Sequence, residues 1–193
     1  MTDIHETLKT AVKMHRDGQL PQAWQLYHSI LDRQPDHAPT LNAVGLLLRQ
    51  SGQFEQSRDY VQRAIAADPS DAAYHANLGE AYRGLDKFEE GMACYQEALR
   101  LAPEEFAVHY YMATLHYQME QYAEAESRFE KALAIHDSAA AAHHGLGIVY
   151  KAQGRMADAA TSFRRALSCD PNYPNAQQEL ESVEQELNAD ERT

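Results

Sequence analysis

Small, apolar and polar residues alternate along this chain with the spacing of helices that pack against each other, most regularly in residues 72–105. Two apolar faces, separated by a short polar turn, predict two helices joined as a hairpin. These faces combine large with very small side chains: Leu78, Gly79 and Tyr82 in the first helix, and Phe88, Gly91, Tyr95 and Ala98 in the second. We expect the two helices to approach closely where Gly79 and Gly91 face each other. One hairpin leaves an apolar face uncovered, so neighbouring hairpins are needed to bury it.

The same pattern returns every 34 residues, so the sequence predicts five helical hairpins in tandem. The repeats span residues 4–37, 38–71, 72–105, 106–139 and 140–173. Repeats 1, 2, 3 and 5 have a proline near their end, at Pro35, Pro69, Pro103 and Pro171. Repeat 4 has Asp137 at that position. Five repeats without an insertion or deletion predict a solenoid in which each hairpin contacts only its neighbours.

The period and the pattern resemble those of the tetratricopeptide repeat (TPR) family, and the regular, insertion-free repeats resemble its bacterial members. The resemblance implies an all-α, right-handed superhelical solenoid of antiparallel helix pairs, and we expect a single TPR domain over residues 1–188. A narrow apolar stripe in residues 174–188 predicts a capping helix that covers the last repeat. Residues 189–193 are expected to form a disordered tail.

The charge balance limits the classes of partner. With 17 Lys and Arg against 29 Asp and Glu, the net charge is −12, which disfavours binding to nucleic acid or to an acidic membrane. The N-terminus lacks a signal-peptide pattern, and no apolar run reaches membrane-spanning length. We therefore expect a soluble, cytoplasmic protein without membrane insertion. Cys94 and Cys169 lie in different repeats and form no CxxC pair, so no disulfide framework is expected.

Catalytic sequence motifs are missing from the chain, which has no Gly-rich phosphate loop, no HExxH and no GxSxG. Every strongly patterned position is explained by helix packing, so we expect no enzyme activity and no cofactor. His75, His109 and His143 recur 34 residues apart. No carboxylate or cysteine joins them, so we interpret them as packing residues and expect no metal site.

In the TPR family the first helix of each repeat lines a concave groove, and the resemblance implies which positions of this chain face it. The predicted partner-binding residues in repeats 2 to 5 are Asn42, Leu46, Arg49, Asn77, Glu80, Arg83, Tyr110, Tyr111, Thr114, Tyr117, His144, Ile148 and Lys151. In repeat 1 the same positions hold His5, Leu8, Lys9, Val12, His15 and Arg16.

An aromatic cluster on the first helix of repeat 4 is the leading candidate for an interface hot spot. Tyr110, Tyr111 and Tyr117 combine a large apolar surface with a polar tip, and His144 is expected beside them. The alternative is that one or two of these tyrosines pack between helices.

A mostly basic row at one repeat position is the second candidate feature, formed by His15, Arg49, Arg83, Tyr117 and Lys151. Basic side chains on the inner face of an acidic protein would attract acidic segments of a partner. The alternative explanation is local, because this position closes a helix, where the helix dipole favours a cation. The two-carboxylate clamp of TPR co-chaperones is not expected, since only Asn77 fits its residue pattern.

These features together favour a protein–protein interaction adaptor or scaffold that binds a peptide or helix of another protein in the groove. One alternative is a client-holding chaperone. Another is a self-assembling scaffold, a homo-oligomer that uses the exposed first helix or the acidic C-terminal segment. Suppression of client aggregation would distinguish the chaperone, and a concentration-dependent mass would distinguish the homo-oligomer.

Overall fold

The computed structural model describes residues 3–190, which form eleven α-helices and no strand. The helices are α1 (Ile4–Arg16), α2 (Leu20–Leu31), α3 (Ala38–Gln50), α4 (Phe54–Ala67), α5 (Ala72–Gly84), α6 (Phe88–Leu101), α7 (Phe106–Gln118), α8 (Tyr122–Ile135), α9 (Ala140–Ala152), α10 (Met156–Cys169) and α11 (Ala176–Asp190). Each predicted repeat contributes one pair, from α1 and α2 through α9 and α10, so the predicted repeat boundaries coincide with the helical hairpins.

The chain divides into two compact units, Met1–Pro103 and Glu104–Thr193. We call them the N-terminal block, which contains α1 to α6, and the C-terminal block, which contains α7 to α11. Within each block the two helices of a hairpin pack on each other, and the second helix also packs on the first helix of the next hairpin. The single domain over residues 1–188 stays a prediction.

Within a hairpin, a small residue of the first helix lies against a large side chain of the second helix. The close approach expected between Gly79 and Gly91 stays a prediction. A Cβ atom added at Gly79 would lie 2.5 Å from Cε1 of Tyr95, whose side chain is fully buried. Gly147 makes the equivalent close approach to Phe163, at 2.6 Å from Cε1. The glycine therefore provides the space for an aromatic ring of the partner helix, which is how one hairpin buries so large a side chain.

The turn inside each hairpin contains one residue in the left-handed region, always at the same repeat position. Three repeats use glycine there: Gly18, Gly52 and Gly154, with φ of 77°, 73° and 75°. The other two use Asp86 and Glu120, with φ of 56° and 59°. The common backbone conformation keeps all five hairpins alike, although two of them adopt it with a residue that is less favourable there than glycine.

The last helix, α11, covers the end of the C-terminal block. Ala176, Leu180 and Val183 are buried, and the latter two lie in one cluster with Phe163 of α10. Residues 189 and 190, which were expected in a disordered tail, continue this helix, while residues 191–193 lie outside the described residues. The capping helix predicted over residues 174–188 therefore begins two residues later than expected and packs on the preceding hairpin.

Candidate partner-binding surfaces

In the N-terminal block, polar side chains link the first helices of successive repeats. Asn77 of α5 donates a hydrogen bond from Nδ2 to Oδ1 of Asn42 of α3, at 2.9 Å. Both side chains are half-buried. Asn42 and Asn77 are both predicted partner-binding residues. Part of their hydrogen-bonding capacity is therefore already used inside the protein.

A buried carboxylate organises the neighbouring part of this face. Glu80 of α5 is only 3% exposed and accepts hydrogen bonds from three side chains. Arg83 donates from Nε at 2.8 Å, Arg49 of α3 donates from Nη1 at 3.3 Å, and the hydroxyl of Tyr95 donates at 2.5 Å. We call these four residues the Glu80 cluster. It connects α3, α5 and α6 through one ionised group.

The environment of Glu80 keeps it ionised. Burial by itself would raise the pKa of its carboxyl. The hydrogen bonds from Arg83 and Tyr95 and the charges of Arg83 and Arg49 together outweigh burial and hold that pKa below its usual range. Two members of the predicted basic row are therefore paired with one internal carboxylate, which weakens their attraction for an acidic ligand.

A groove lies between α1 and α3 of the N-terminal block, with a cavity volume of about 430 Å³. We call it the N-terminal groove; it is lined by Val12, His15, Arg16, Leu46, Arg49 and Gln50. Val12 is 46% exposed and Leu46 is half-buried, so the groove offers apolar surface between polar rims. A second concave surface, of about 680 Å³, continues along α1 and shares Val12 and Arg16 with the groove.

His15, which lines the N-terminal groove, connects α1 to the two following helices. Its Nδ1 lies 3.3 Å from the hydroxyl of Tyr27, and its Nε2 lies 2.9 Å from Oε1 of Gln50. Both ring nitrogens are thus engaged by side chains of α2 and α3, and burial raises the pKa of Tyr27 to about 12. His15 therefore links α1 to α2 and α3, and its place in a ligand-binding basic row stays a prediction.

In the C-terminal block, the tyrosines of α7 differ in how much they contribute to the core. Tyr110 packs edge-on against Phe129, with ring centroids 5.7 Å apart, and Tyr117 contacts Tyr122 at 5.8 Å. Both are partly buried and pack against the hydrophobic core around Ala113 and Phe129, which agrees with the alternative that some tyrosines pack between helices. Tyr111 contacts Tyr110 at 6.1 Å and is half-buried.

The remaining candidates of the C-terminal block lie on α7 and α9. Thr114 donates its hydroxyl to the carbonyl oxygen of Tyr111 at 2.8 Å, so its side chain is bonded within its own helix. Ile148 is half-buried against the core formed by α10 and α11. Lys151 donates from Nζ to Glu179 of α11 at 2.9 Å, so the last member of the basic row is also paired inside the protein.

His144 packs against two aromatic rings, one of them in α10 and the other just before α11. Its ring lies 5.5 Å from the ring of Phe163 and 5.2 Å from that of Tyr173. Burial lowers the pKa of His144, and the charge of Glu179 partly opposes this effect. The imidazole is therefore held in its neutral form as a packing group at neutral pH.

Within residues 3–190, no group of three His, Cys, Asp or Glu side chains is arranged to hold a metal ion. His75 and His143 instead contact the carbonyl oxygens of Pro69 and Asp137, at 3.0 and 2.7 Å. The third histidine of this series, His109, is buried. None of the helices in this range has the length and apolar character needed to cross a membrane.

The folded chain is an all-α solenoid built from antiparallel helix pairs, as its sequence predicts. A tetratricopeptide repeat model matches residues 42–106 and 110–174, which together span more than half of the chain. The chain belongs to the tetratricopeptide repeat family, whose proteins are in general non-catalytic repeat scaffolds. No match was found among curated proteins.

Solved TPR structures share the fold over most of their length. The protein TTC0263 of Thermus thermophilus is 19% identical, with 94% of this chain and 98% of that chain covered and a TM-score of 0.81. PilF of Pseudomonas aeruginosa is 16% identical, with coverages of 95% and 90% and a TM-score of 0.80. YrrB, a TPR protein with an unusual peptide-binding site, is 16% identical, with both coverages at 91% and a TM-score of 0.65. These similarities confirm the predicted fold class.

Proposed function

We propose that this protein is a protein–protein interaction adaptor or scaffold that binds a peptide or helix of a partner on the first helices of its repeats. One observation carries the proposal: after the cores are filled, these helices keep half-exposed apolar and aromatic side chains beside polar ones. Leu46 in the N-terminal block and Tyr111 in the C-terminal block are examples. Such mixed surfaces are typical of protein interfaces.

Two solved TPR structures support a peptide as the bound species. YrrB is described as having an unusual peptide-binding site. The first TPR of Spaghetti (RPAP3), in a complex with the HSP90 peptide SRMEEVD, is 25% identical over 62% of this chain and 95% of that chain, with a TM-score of 0.59. A soluble, cytoplasmic adaptor without catalytic activity remains the proposed setting for such binding.

Among the three tyrosines of the predicted hot spot, Tyr111 is the one to test. Tyr110 and Tyr117 pack against core residues of the C-terminal block, so replacing them would disturb the fold as well as the surface. Tyr111 is half-buried like the other two, but it is not among the side chains that pack against that core cluster. Its loss should therefore remove contact area from a partner without creating a large cavity.

The test is capture of partners from the native lysate, quantified by mass spectrometry, with the wild type, Tyr111→Ala and Leu46→Ala. The matched control is Ile135→Ala on α8, because Ile135 is a 41% exposed hydrophobic residue that lies on the second helix of its repeat. We expect at least one partner to be retained by the wild type and the control and lost from one of the two variants. Equal capture by all four proteins would refute binding on these faces.

The two alternatives predict different results in solution. A client-holding chaperone would suppress the aggregation of an unfolded protein at near-equal concentration, which an adaptor would not do. A homo-oligomer would show a mass that rises with concentration in light scattering. A monomer that captures a defined partner and leaves aggregation unchanged would favour the adaptor over both.

A further inference from the structure

We propose that the N-terminal groove, together with the adjoining surface of α1, is a docking site for an acidic peptide segment of another protein that inserts an apolar side chain between Val12 and Leu46. This inference rests on the proposed protein-binding function and specifies the chemistry of the ligand. The sequence alone predicts that the basic row as a whole attracts acidic segments. This inference places the attraction at the N-terminal groove and α1.

The apolar part of the argument is the exposure of Val12. Val12 and Ile135 are the two large hydrophobic residues that stand clearly exposed among those described, at 46% and 41%. Val12 and the half-buried Leu46 line the same cavity, of about 430 Å³, whereas Ile135 lines none of the described cavities. A concave apolar surface with polar rims is the arrangement that accepts a side chain of a peptide.

The electrostatic part of the argument is the local charge. The α1 surface that continues from the groove is lined by three cations, Lys9, Lys13 and Arg16, and one carboxylate, Glu6. Arg16 is exposed at the point shared by the two cavities, and it has no ion-pair partner among the described residues. A positive rim in a chain with a net charge of −12 would steer acidic segments to this surface.

The three cations of the basic row are already paired with carboxylates inside the protein, two of them with the same carboxylate. Arg49 and Arg83 share the carboxylate of Glu80, and Lys151 is paired with Glu179. A ligand carboxylate would have to compete with these internal carboxylates, whereas at Arg16 it would not. Among the predicted groove positions, those of repeat 1 therefore offer the stronger attraction for an acidic ligand.

The groove is also pre-formed. His15 bridges Tyr27 and Gln50, so α1 is fixed against the two helices that follow it. The surface of the groove therefore needs little ordering when a ligand binds, which lowers the entropic cost of association.

The first step of the test is selection of random 12-residue peptides by phage display on the full chain, because this probe assumes no ligand charge. We expect enriched peptides to combine Asp or Glu with a large apolar residue. A fluorescein-labelled synthetic copy of the most enriched peptide is then titrated by fluorescence anisotropy. Replacing its acidic residues by the corresponding amides should weaken binding about tenfold, and added salt should weaken the acidic peptide more than the amide version.

The second step places the peptide on the protein. Val12→Ser and Arg16→Glu should each reduce affinity about tenfold, because they remove the apolar wall and reverse the exposed cation. Lys131→Glu is the matched charge reversal, since Lys131 is an exposed cation on α8 of the other block. It should leave affinity unchanged, and circular dichroism should show that all three variants are folded.

The outcomes separate this inference from the proposed function. Neutral or basic enriched peptides, no enriched peptide, or equal affinity for the wild type and Arg16→Glu would overturn the inference. A peptide lost with Tyr111→Ala but kept by Val12→Ser and Arg16→Glu would overturn it while supporting the proposed function. The proposed function itself is decided by capture from the lysate, which requires no acidic ligand.

Discussion

Replacement of Glu80 by Gln should destabilise the N-terminal block more than any exposed charge substitution. The side chain is 3% exposed and receives donors from three residues on three helices. Gln keeps the size and can still accept the hydroxyl of Tyr95. It removes the negative charge, however, so Arg83 and Arg49 lose the carboxylate that balances them.

The expected magnitude follows from the burial of the partners. Removing one member of a fully buried ion pair costs about 3–5 kcal/mol. The two arginine side chains remain 30% exposed, so water can partly solvate them after the substitution. We therefore expect a loss of about 2–3 kcal/mol in the free energy of unfolding at pH 7, below the fully buried case. For a chain of this length that loss corresponds to a decrease in Tm of about 5–10 °C.

The effect should depend on pH in a defined direction. The pKa of Glu80 in the folded protein lies below its ordinary value of 4.5, so the carboxylate stabilises the fold fully above that value. The stabilisation is lost as the pH falls through the lower, folded-state pKa. The difference in stability between the wild type and Glu80→Gln should therefore be constant near neutral pH and shrink when the pH falls below 4.5.

Urea denaturation followed by far-ultraviolet circular dichroism, at pH 7 and at pH 4, measures this difference. Glu97→Gln is the matched control, because Glu97 pairs with Arg100 on the surface, where both side chains are well exposed. Exposed pairs of this kind contribute little. Equal stability of Glu80→Gln and Glu97→Gln, or a difference that grows at acid pH, would refute the assigned role of the Glu80 cluster.

Two further substitutions test packing in the C-terminal block. Gly147→Ala should lower the stability by about 1–2 kcal/mol, because the new Cβ would meet the buried ring of Phe163 and this overlap outweighs the helix-propensity gain of alanine. A urea midpoint at or above that of the wild type would contradict it. Val183→Asp should remove the hydrogen-exchange protection of α11, since Val183 is fully buried, whereas Gln185→Asp on the exposed face should leave it. Protection retained in Val183→Asp would show that α11 is held by other contacts.

The helices could be predicted from the sequence because their signals are local. Apolar spacing, a small residue at a fixed place and a proline or Asp137 near the repeat end are all visible within one 34-residue window. The partner of each small residue was harder to predict. A helical period shows which residues share a face, but it does not give the rotation of the facing helix, so the contact of Gly79 with the ring of Tyr95 was not predicted.

Whether a groove residue is available to a ligand or paired inside the protein depends on residues that are distant in sequence. Arg49 and Glu80 are 31 residues apart, and Lys151 and Glu179 are 28 apart, so a row of cations at one repeat position carried no sign of which ones were already paired. One local clue was present. Glu80 and Arg83 are three residues apart on one helix, a spacing at which opposite charges meet.

The groove of a repeat protein binds a partner best with side chains that its own neighbours leave accessible. In the N-terminal block, hydrogen bonds and the Glu80 cluster engage the polar residues of α3 and α5, while Val12 and Arg16 of α1 stay exposed. In the C-terminal block, Lys151 forms an ion pair with α11, and His144 packs against aromatic rings. Tyr111 of α7 is only half-buried, so part of its surface is in contact with solvent. These accessible positions, more than the regular repeat pattern, should therefore determine which partner is recognised.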